Sequence, residues 1–494
     1  MSLLTGFGEM FSQQNSIFRG TVVGEEDREL IGATVYLEEL GIGDDTDASG
    51  TFRIASVPQG THAVVVSYVG YKPVTKEIDF QQGAVREDTF HLQKDERVLL
   101  EVEVFGRRRE RPEKMDALTR IPLRIDEQVQ SISVISQKMI TSQGVLTLND
   151  AVRNAPGMGT FATFGNTTES LTSRGYRGIP VVKNGVRVHS DFRGYGYLAD
   201  MQGVETIQIL RGSAAIAQGL GNDLGVVNIA TKTPRFINSG NVGFRTGSWG
   251  QLRPTFDVQF VTDKLQRTAF RINGAWERAD NYRVHVSKDR VYLNPSFAWR
   301  PDDRTNITLE MDYLHDSRTP DQGTVNLSAD SVFNVFEMPH DRFLGFSTDR
   351  QTYNTLTYLV QIYRTLNDFL SLRTAYAGSD MNLTKTASLA SPLKNVTKTG
   401  HYNLRSRTYS GSGRDDKNGV FQIDLIGKDL HTGTVKHTFN LGFDYRWTNL
   451  TTVNTNTVTI DTVDVRQPIS NMAPNVKLTK GDPVHSREYA YGML

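Results

Sequence analysis

The sequence predicts a multidomain, mainly β protein in three parts: an N-terminal β-sandwich, a compact α+β module, and strands of a transmembrane antiparallel β-barrel. Three observations carry this. The C-terminal half repeats strict apolar/polar alternation, the period of a strand with one apolar and one polar face. Its connections alternate between tight turns and long loops, the rim pattern of an outer-membrane barrel. Hydrophobic residues make up only 38% of the chain. No apolar run approaches the ~20 residues of a spanning helix, which excludes a helical membrane protein but not a barrel of ~9–11-residue strands.

Composition narrows the function classes. The chain has 494 residues, 55 Lys+Arg against 55 Asp+Glu, and no cysteine. Zero net charge gives no case for a nucleic-acid partner. The missing thiols remove disulfide scaffolds, cysteine nucleophiles and cysteine-based metal sites. Met1-Ser2-Leu3-Leu4 opens no signal-peptide pattern, so the protein is either not exported or its signal has been removed.

Residues 16–94 hold short β-prone runs (18–23, 34–37, 51–54, 62–68 and 89–92) separated by turn residues, the texture of a small sandwich. The acidic stretch Asp44-Asp45-Thr46-Asp47 lacks calcium-loop spacing and reads as a solvated turn. Residues 95–122 form a linker, with Arg107-Arg108-Arg109-Glu110-Arg111 too charged to bury itself. Residues 123–236 mix a strand at 132–135, a helix over 147–154 that stops before Pro156-Gly157, and strands at 181–188 and 204–210.

From residue 240 to 494 we count about nine long strands, near 240–247, 254–262, 267–278, 290–300, 305–315, 352–365, 369–379, 419–427 and 437–449. In them Phe256, Val258 and Phe260 alternate with Asp257 and Gln259, and Ile307, Leu309, Met311 and Tyr313 with Thr308, Glu310 and Asp312. Tight connections at 262–266, 301–304, 366–368 and 431–435 face long ones at 316–350 and 380–418. Trp276, Trp299, Tyr313 and Trp447 suit interfacial girdles. Pro295 forfeits a ladder hydrogen bond, which predicts a bulge there.

The middle part resembles the plug of TonB-dependent outer-membrane receptors. The resemblance rests on Gln130-Ser131-Ile132-Ser133-Val134-Ile135, Leu148-Asn149-Asp150-Ala151-Val152-Arg153-Asn154-Ala155-Pro156-Gly157, Ser173-Arg174-Gly175-Tyr176, Lys183-Asn184-Gly185-Val186-Arg187, 204–212 and 225–234. The chain departs from the family at Asn184 (usually Asp), Gln208 (usually Glu), Ser213 (usually Pro) and Val226 (usually Gly), which bears on the charges that seat the plug. Gly32-Ala33-Thr34-Val35, 46–52, 58–60 and Tyr68-Val69-Gly70-Tyr71 resemble the transthyretin-like (carboxypeptidase regulatory-like) domain found before the plug in Bacteroidetes-type receptors.

The resemblance implies a full barrel of 22 strands, a bacterial outer-membrane location with the N-terminal domain in the periplasm, and active import without a bound cofactor. The opening of the plug looks most like the ferric-siderophore subgroup. A SusC-like glycan importer and a haem or cobalamin receptor are the alternatives. The expected partners are TonB with ExbB–ExbD, the ferric siderophore and outer-membrane lipid. By position, the TonB-binding box is Glu101, Val102, Glu103, Val104, Phe105 and Gly106. The ligand site falls on the apical loops of the plug, at Phe161, Phe164, Asn166, Arg177, Phe192, Arg193, Tyr195 and Tyr197. Aromatic rings and guanidinium groups together suit a flat anionic or catecholate chelate. Arg174 and Arg211 are expected to hold the plug and its barrel contacts.

An enzyme is not expected. Residues 219–225 read G-x-G-x-x-x-G rather than the dinucleotide fingerprint, and the ten histidines form no H-E-x-x-H zinc pattern. Stacked adhesin sandwiches would explain the strands but not the plug motifs. Length bears on the barrel: at roughly 28 residues per strand, about 22 strands need on the order of 620 residues. The sequence therefore predicts a barrel truncated at the C-terminus, with residues 487–494 opening a tenth strand and an edge that lipid cannot satisfy.

Overall fold

The computed structural model describes residues 16–24, 29–37, 40–47, 49–68, 71, 73–93, 120, 131–161, 165–177, 179–187, 198–211, 225–263, 265–324, 338–394 and 396–493. They fall into two compact units, residues 1–111 and 112–494.

The first unit has seven strands: β1 (Ser16–Val23), β2 (Thr34–Leu37), β3 (Ile42–Asp45), β4 (Thr51–Val57), β5 (Gly60–Ser67), β6 (Val74–Phe80) and β7 (Val85–His91). They form two sheets, β4-β1-β7 and β3-β2-β5-β6. Inward residues of both sheets share one core. Phe18 sits at its centre, with ring centroids of Phe52, Phe80 and Phe90 at 5.0, 5.2 and 6.3 Å. Alternation writes this directly: Phe52, Ile54 and Val57 of β4 are buried while Thr51 and Arg53 are exposed. Within the 41–50 turn, β3 pairs with β2. Asp47 accepts from Ser49 N at 2.8 Å and from Thr51 N at 3.0 Å. Its carboxyl lies below the usual range because the Thr51 hydroxyl and these amides stabilise the anion.

The second unit begins with a plug. It comprises β8 (Ser131–Ser136), α1 (Gln137–Ser142), α2 (Leu148–Ala151), β9 (Met158–Thr160), β10 (Leu171–Ser173), β11 (Tyr176–Arg177), β12 (Val181–Lys183), β13 (Val186–Arg187), β14 (Val204–Arg211) and β15 (Val226–Thr231). Five strands run in the order β13-β12-β15-β14-β8, and β11-β10-β9 form a second sheet. The short helices start at polar caps: Ser136 Oγ accepts from Met139 N, and Thr147 Oγ1 from Asp150 N. The stretch expected as one strand at 181–188 is a hairpin, because Asn184 (φ 50°) and Gly185 (φ 77°) adopt the left-handed turn that reverses it.

A large antiparallel sheet follows: β16 (Ser239–Gly247), β17 (Gln251–Val261), β18 (Thr268–Asp280), β19 (Ser287–Asp302), β20 (Thr305–Arg318), β21 (Arg350–Thr365), β22 (Leu370–Pro392), α3 (Val396–Thr399), β23 (Leu404–Thr432), β24 (Val435–Asn454), β25 (Val458–Asp464) and β26 (Val484–Met493). Each strand pairs with the next from β16 to β24, then β24 with β26, while β25 pairs with β23. One rim carries tight connections at 262–267, 303–304, 366–369 and 433–434; the other carries short ones at 248–250 and 281–286 and long ones at 319–349, 393–403 and 455–483, the last containing β25. The expected loop at 380–418 is mostly strand: β22 and β23 run 23 and 29 residues and stay paired out to Pro392 and Arg405. Both far exceed the ~9–11 residues that cross a bilayer.

Pro295 makes no bulge. Ile272 pairs with it in register, and the β19–β20 register is the same on either side of it. That register puts Pro295 opposite Met311, whose carbonyl would lack a donor. Asn294 Nδ2 donates to Met311 O at 2.8 Å instead.

The burial of this sheet is inverted. Arg271, Asn273, Glu277, Arg290, Asn294, Glu310, Asp312 and Asp424 are buried, whereas Val242, Phe244, Trp276, Leu309, Met311, Tyr358 and Leu441 are exposed. A water-soluble sheet would bury the second set and expose the first. Here the polar face looks onto the plug, and the apolar face is what a hydrocarbon solvent requires.

Candidate functional site

The plug is seated on the wall by buried polar contacts. Asp200, whose side chain is fully buried, accepts from Arg253 Nη2 at 2.6 Å and lies 3.6 Å from Arg290. Arg253 also reaches Glu277 at 2.8 Å, and Arg290 reaches Asp316 at 2.7 Å. Burial pushes the Asp200 carboxyl up, but Arg253 and Arg290 outweigh it and hold it below the usual range. Lys183 pairs with Asp312 at 2.7 Å, and the Tyr292 hydroxyl donates to the same carboxylate. Two small crevices meet at Lys183 and Asp312. Lys232 pairs with Asp257 at 2.9 Å. Approach is close enough that a Cβ on Gly203 would fall 1.8 Å from Tyr292 Oη.

Near the long-loop rim, Glu169 accepts from Leu148 N at 3.1 Å. Burial lifts its carboxyl to about 7 against the opposing pull of Arg290 and Arg318. The plug loop around it docks on the wall: Arg318 Nη1 donates to Asn166 O at 2.6 Å, Gln351 Nε2 to Thr167 O at 2.9 Å, and Asp321 N to Gly165 O at 2.9 Å.

Among the expected ligand residues, the structure brings Phe161 and Arg177 together. The guanidinium carbon lies 4.7 Å from the ring centroid, and both side chains are exposed. Asn166 lies in the hairpin loop that Phe161 opens, exposed and at φ 62°. Phe164, Phe192, Arg193, Tyr195 and Tyr197 lie outside the described residues, as do Glu101, Val102, Glu103, Val104, Phe105 and Gly106. Arg211 makes its contacts inside the plug, to Ser131 Oγ at 3.0 Å and to Ser133, rather than to the described wall. No group of three or more metal-ligating side chains occurs among the described residues.

Sequence reasoning missed the seam itself: Asp200, Arg253, Arg290, Asp316 and Arg318. Alternation marks Arg253, Arg290, Asp316 and Arg318 as lying on the polar faces of their strands, but it does not say which plug residue each one meets.

Comparison with known proteins agrees with this geometry. A family model described as a CarboxypepD_reg-like domain matches residues 18–104, and one described as a TonB-dependent receptor plug domain matches residues 124–226. The chain therefore carries these two domains in succession, and the sheet beyond them has the fold of TonB-dependent receptors. Among curated relatives, the metal-pseudopaline receptor CntO of Pseudomonas aeruginosa is 27% identical over 68% of this chain and 46% of that protein. The ferrioxamine B receptor of Salmonella typhimurium is 26% identical over 65% and 46%. Among solved structures, the ferric-catecholate import receptor Fiu of Escherichia coli has a TM-score of 0.65 at 20% identity, over 77% of this chain and 58% of that one. The ferripyoverdine receptor of the Pseudomonas aeruginosa outer membrane has a TM-score of 0.66 at 16% identity, over 86% and 57%. The chain spans about half the length of the curated relatives it matches.

Proposed function

We propose that this chain acts in a bacterial outer-membrane receptor that binds a ferric siderophore on its outer face and imports it with energy transmitted by TonB. The observation that carries the proposal is the inverted wall held to a plug by buried ion pairs. Such a wall is solvated by lipid, and a plug so fastened blocks passage until work moves it. In barrels of this kind the longer loops are extracellular, so the tight-turn rim faces the periplasm.

Import of a ferric siderophore is supported by the relatives, which bear the names of metal-pseudopaline, ferrioxamine and catecholate siderophore receptors. The exposed Phe161–Arg177 pair suits it chemically: a ring face and a forked cation serve a flat, anionic chelate. With Phe164, Asn166, Phe192, Arg193, Tyr195 and Tyr197 it forms the proposed ligand site. TonB, energised through ExbB–ExbD, grips Glu101–Gly106 on the periplasmic side, where the N-terminal domain resides. No covalent bond is made or broken.

The test is a titration of the receptor with ferric siderophores and with glycans, followed by tryptophan fluorescence. Trp249, 57% exposed in a long-loop-rim turn, supplies a reporter. Saturable quenching by a ferric chelate is expected. Saturation by a glycan with no response to any ferric chelate would sink the siderophore assignment.

A further inference from the structure

Among the described residues, Arg120 alone represents the stretch between the N-terminal sandwich and the plug. Its guanidinium is 1% exposed and enters a socket on the inner face of the wall. Nε donates to Asp424 Oδ1 at 3.0 Å, Nη2 bonds the same carboxylate, and Nη1 donates to Asp444 Oδ2 at 2.6 Å. Among the described residues the wall supplies one cation of its own, Arg373, whose Nη1 reaches Asp424 Oδ2 at 2.8 Å. Two carboxylates thus face one resident guanidinium, and Arg120 brings the socket to neutrality. The steric fit is as specific: a Cβ on Gly442 would fall 2.6 Å from Arg120 Nη2. Asp424 pairs across the sheet with Arg373, the fourth residue of β22, so the socket lies beside the tight-turn rim.

We propose that Arg120 is a mechanical pin that fastens the segment leading to the plug onto the wall, so that a pull from the N-terminal side loads the wall before it loads the plug. This rests on the reading that TonB grips residues 101–106. Arg120 lies fourteen positions after Gly106, a length of chain that spans at most about 50 Å, and this bounds how far TonB can travel before tension reaches the pin. Withdrawing Arg120 leaves the buried Asp424 with Arg373 alone and the half-buried Asp444 without its guanidinium, which resists release. Once the pin yields, the pull reaches Ser131 and β8, which among the described strands is an edge strand pairing only with β14. An edge strand can peel away residue by residue, whereas an inner strand must break two ladders together.

The absence of cysteine allows a single Arg107→Cys substitution to carry a handle for force spectroscopy on the receptor in outer-membrane vesicles. The parent should show an early rupture before the plug unravels. Arg120→Gln should abolish it. Gly442→Leu should also abolish it, because it fills the socket while leaving every charge in place. Heat-modifiable migration checks that each variant is folded. No early rupture in the parent, or the same rupture in both folded variants, overturns the pin. Deleting residues 101–106 tests the TonB reading separately: if uptake survives that deletion, the TonB assignment fails while the rupture signature still decides the pin.

Discussion

Replacing Asp200 by Asn tests whether ion pairs seat the plug. The Asp200 side chain is fully buried, with Arg253 at 2.6 Å and Arg290 at 3.6 Å. Removing one partner of a buried pair costs about 3–5 kcal/mol. Two features move the expected cost to the lower end. Arg253 keeps Glu277 at 2.8 Å and Arg290 keeps Asp316 at 2.7 Å. The Asn amide oxygen can still accept from Gln202 N, which Asp200 now holds at 2.9 Å. A loss of about 3 kcal/mol corresponds to roughly a hundredfold larger opening equilibrium. Val204, buried in the seam and lining the crevice beside Tyr292, can be changed to Cys in this cysteine-free chain. When closing is fast, thiol labelling tracks the open fraction. Asp200→Asn should therefore label about a hundred times faster than Val204→Cys alone. An acceleration of less than about threefold refutes the ion-pair account of the seam.

Other outcomes follow from the same geometry. Burial lifts the Glu169 carboxyl to about 7, so the native plug holds a proton that the unfolded chain has released above its ordinary value of 4.5. Stability should then fall by about 3 kcal/mol as pH rises through that window, and Glu169→Gln should flatten the slope in denaturant titrations from pH 4 to 8; an unchanged slope excludes the assignment. Phe161→Ala or Arg177→Ala should weaken ferric-chelate binding by about 3- to 30-fold, the range of a cation–π contact, measured by the fluorescence titration; full affinity in both variants removes the pair from the ligand site. Asn294→Ala strips the donor from Met311 O and should cost about 1–3 kcal/mol, read as a lower temperature of heat-modifiable unfolding; no change would mean that Met311 O finds another donor.

What the sequence revealed depended on how local the determining physics is. Strand periodicity needs only neighbours, and so the segments from Ser239–Gly247 to Val435–Asn454 were legible, as were the tight turns between them. The ends of β22 and β23 were not: Met381 and Leu383 still alternate with Asp380 and Asn382, but Thr384-Lys385-Thr386 and Arg414-Asp415-Asp416-Lys417-Asn418 are unbroken polar runs in which alternation carries no signal. Helix α1 was missed because six residues hold too few turns to show a 3.6-residue period. The Pro295 site looked like a defect because its remedy is non-local: an Asn side chain on one strand completes the carbonyl of the next. For the same reason the seam was invisible. Asp200 and Arg253 are 53 positions apart, and nothing in the sequence pairs them before the plug meets the wall.

Two of the departures from the family pattern now have a physical account. Asn184 donates through Nδ2 to Glu310 Oε2 at 2.9 Å and to Thr231 Oγ1 at 2.8 Å, while its Oδ1 accepts from Thr231 N at 3.0 Å. An Asp at 184 would set two carboxylates at hydrogen-bond distance in a buried site, and one would have to take up a proton. With Asn in place, Glu310 keeps a donor from the plug, and neighbouring Lys183 is left to neutralise Asp312. Gln208 is fully buried between β8 and β15, and its Oε1 accepts from Asn228 Nδ2 at 2.8 Å. No cation contacts it among the described residues, so a Glu there would carry an unpaired charge into the plug core, whereas the amide carries none. Asn184 thus removes negative charge where the wall already supplies Glu310 and Asp312, and Gln208 removes it from the plug core. In this chain the wall therefore holds the carboxylates at that point of the seam, while the plug supplies a lysine and neutral donors.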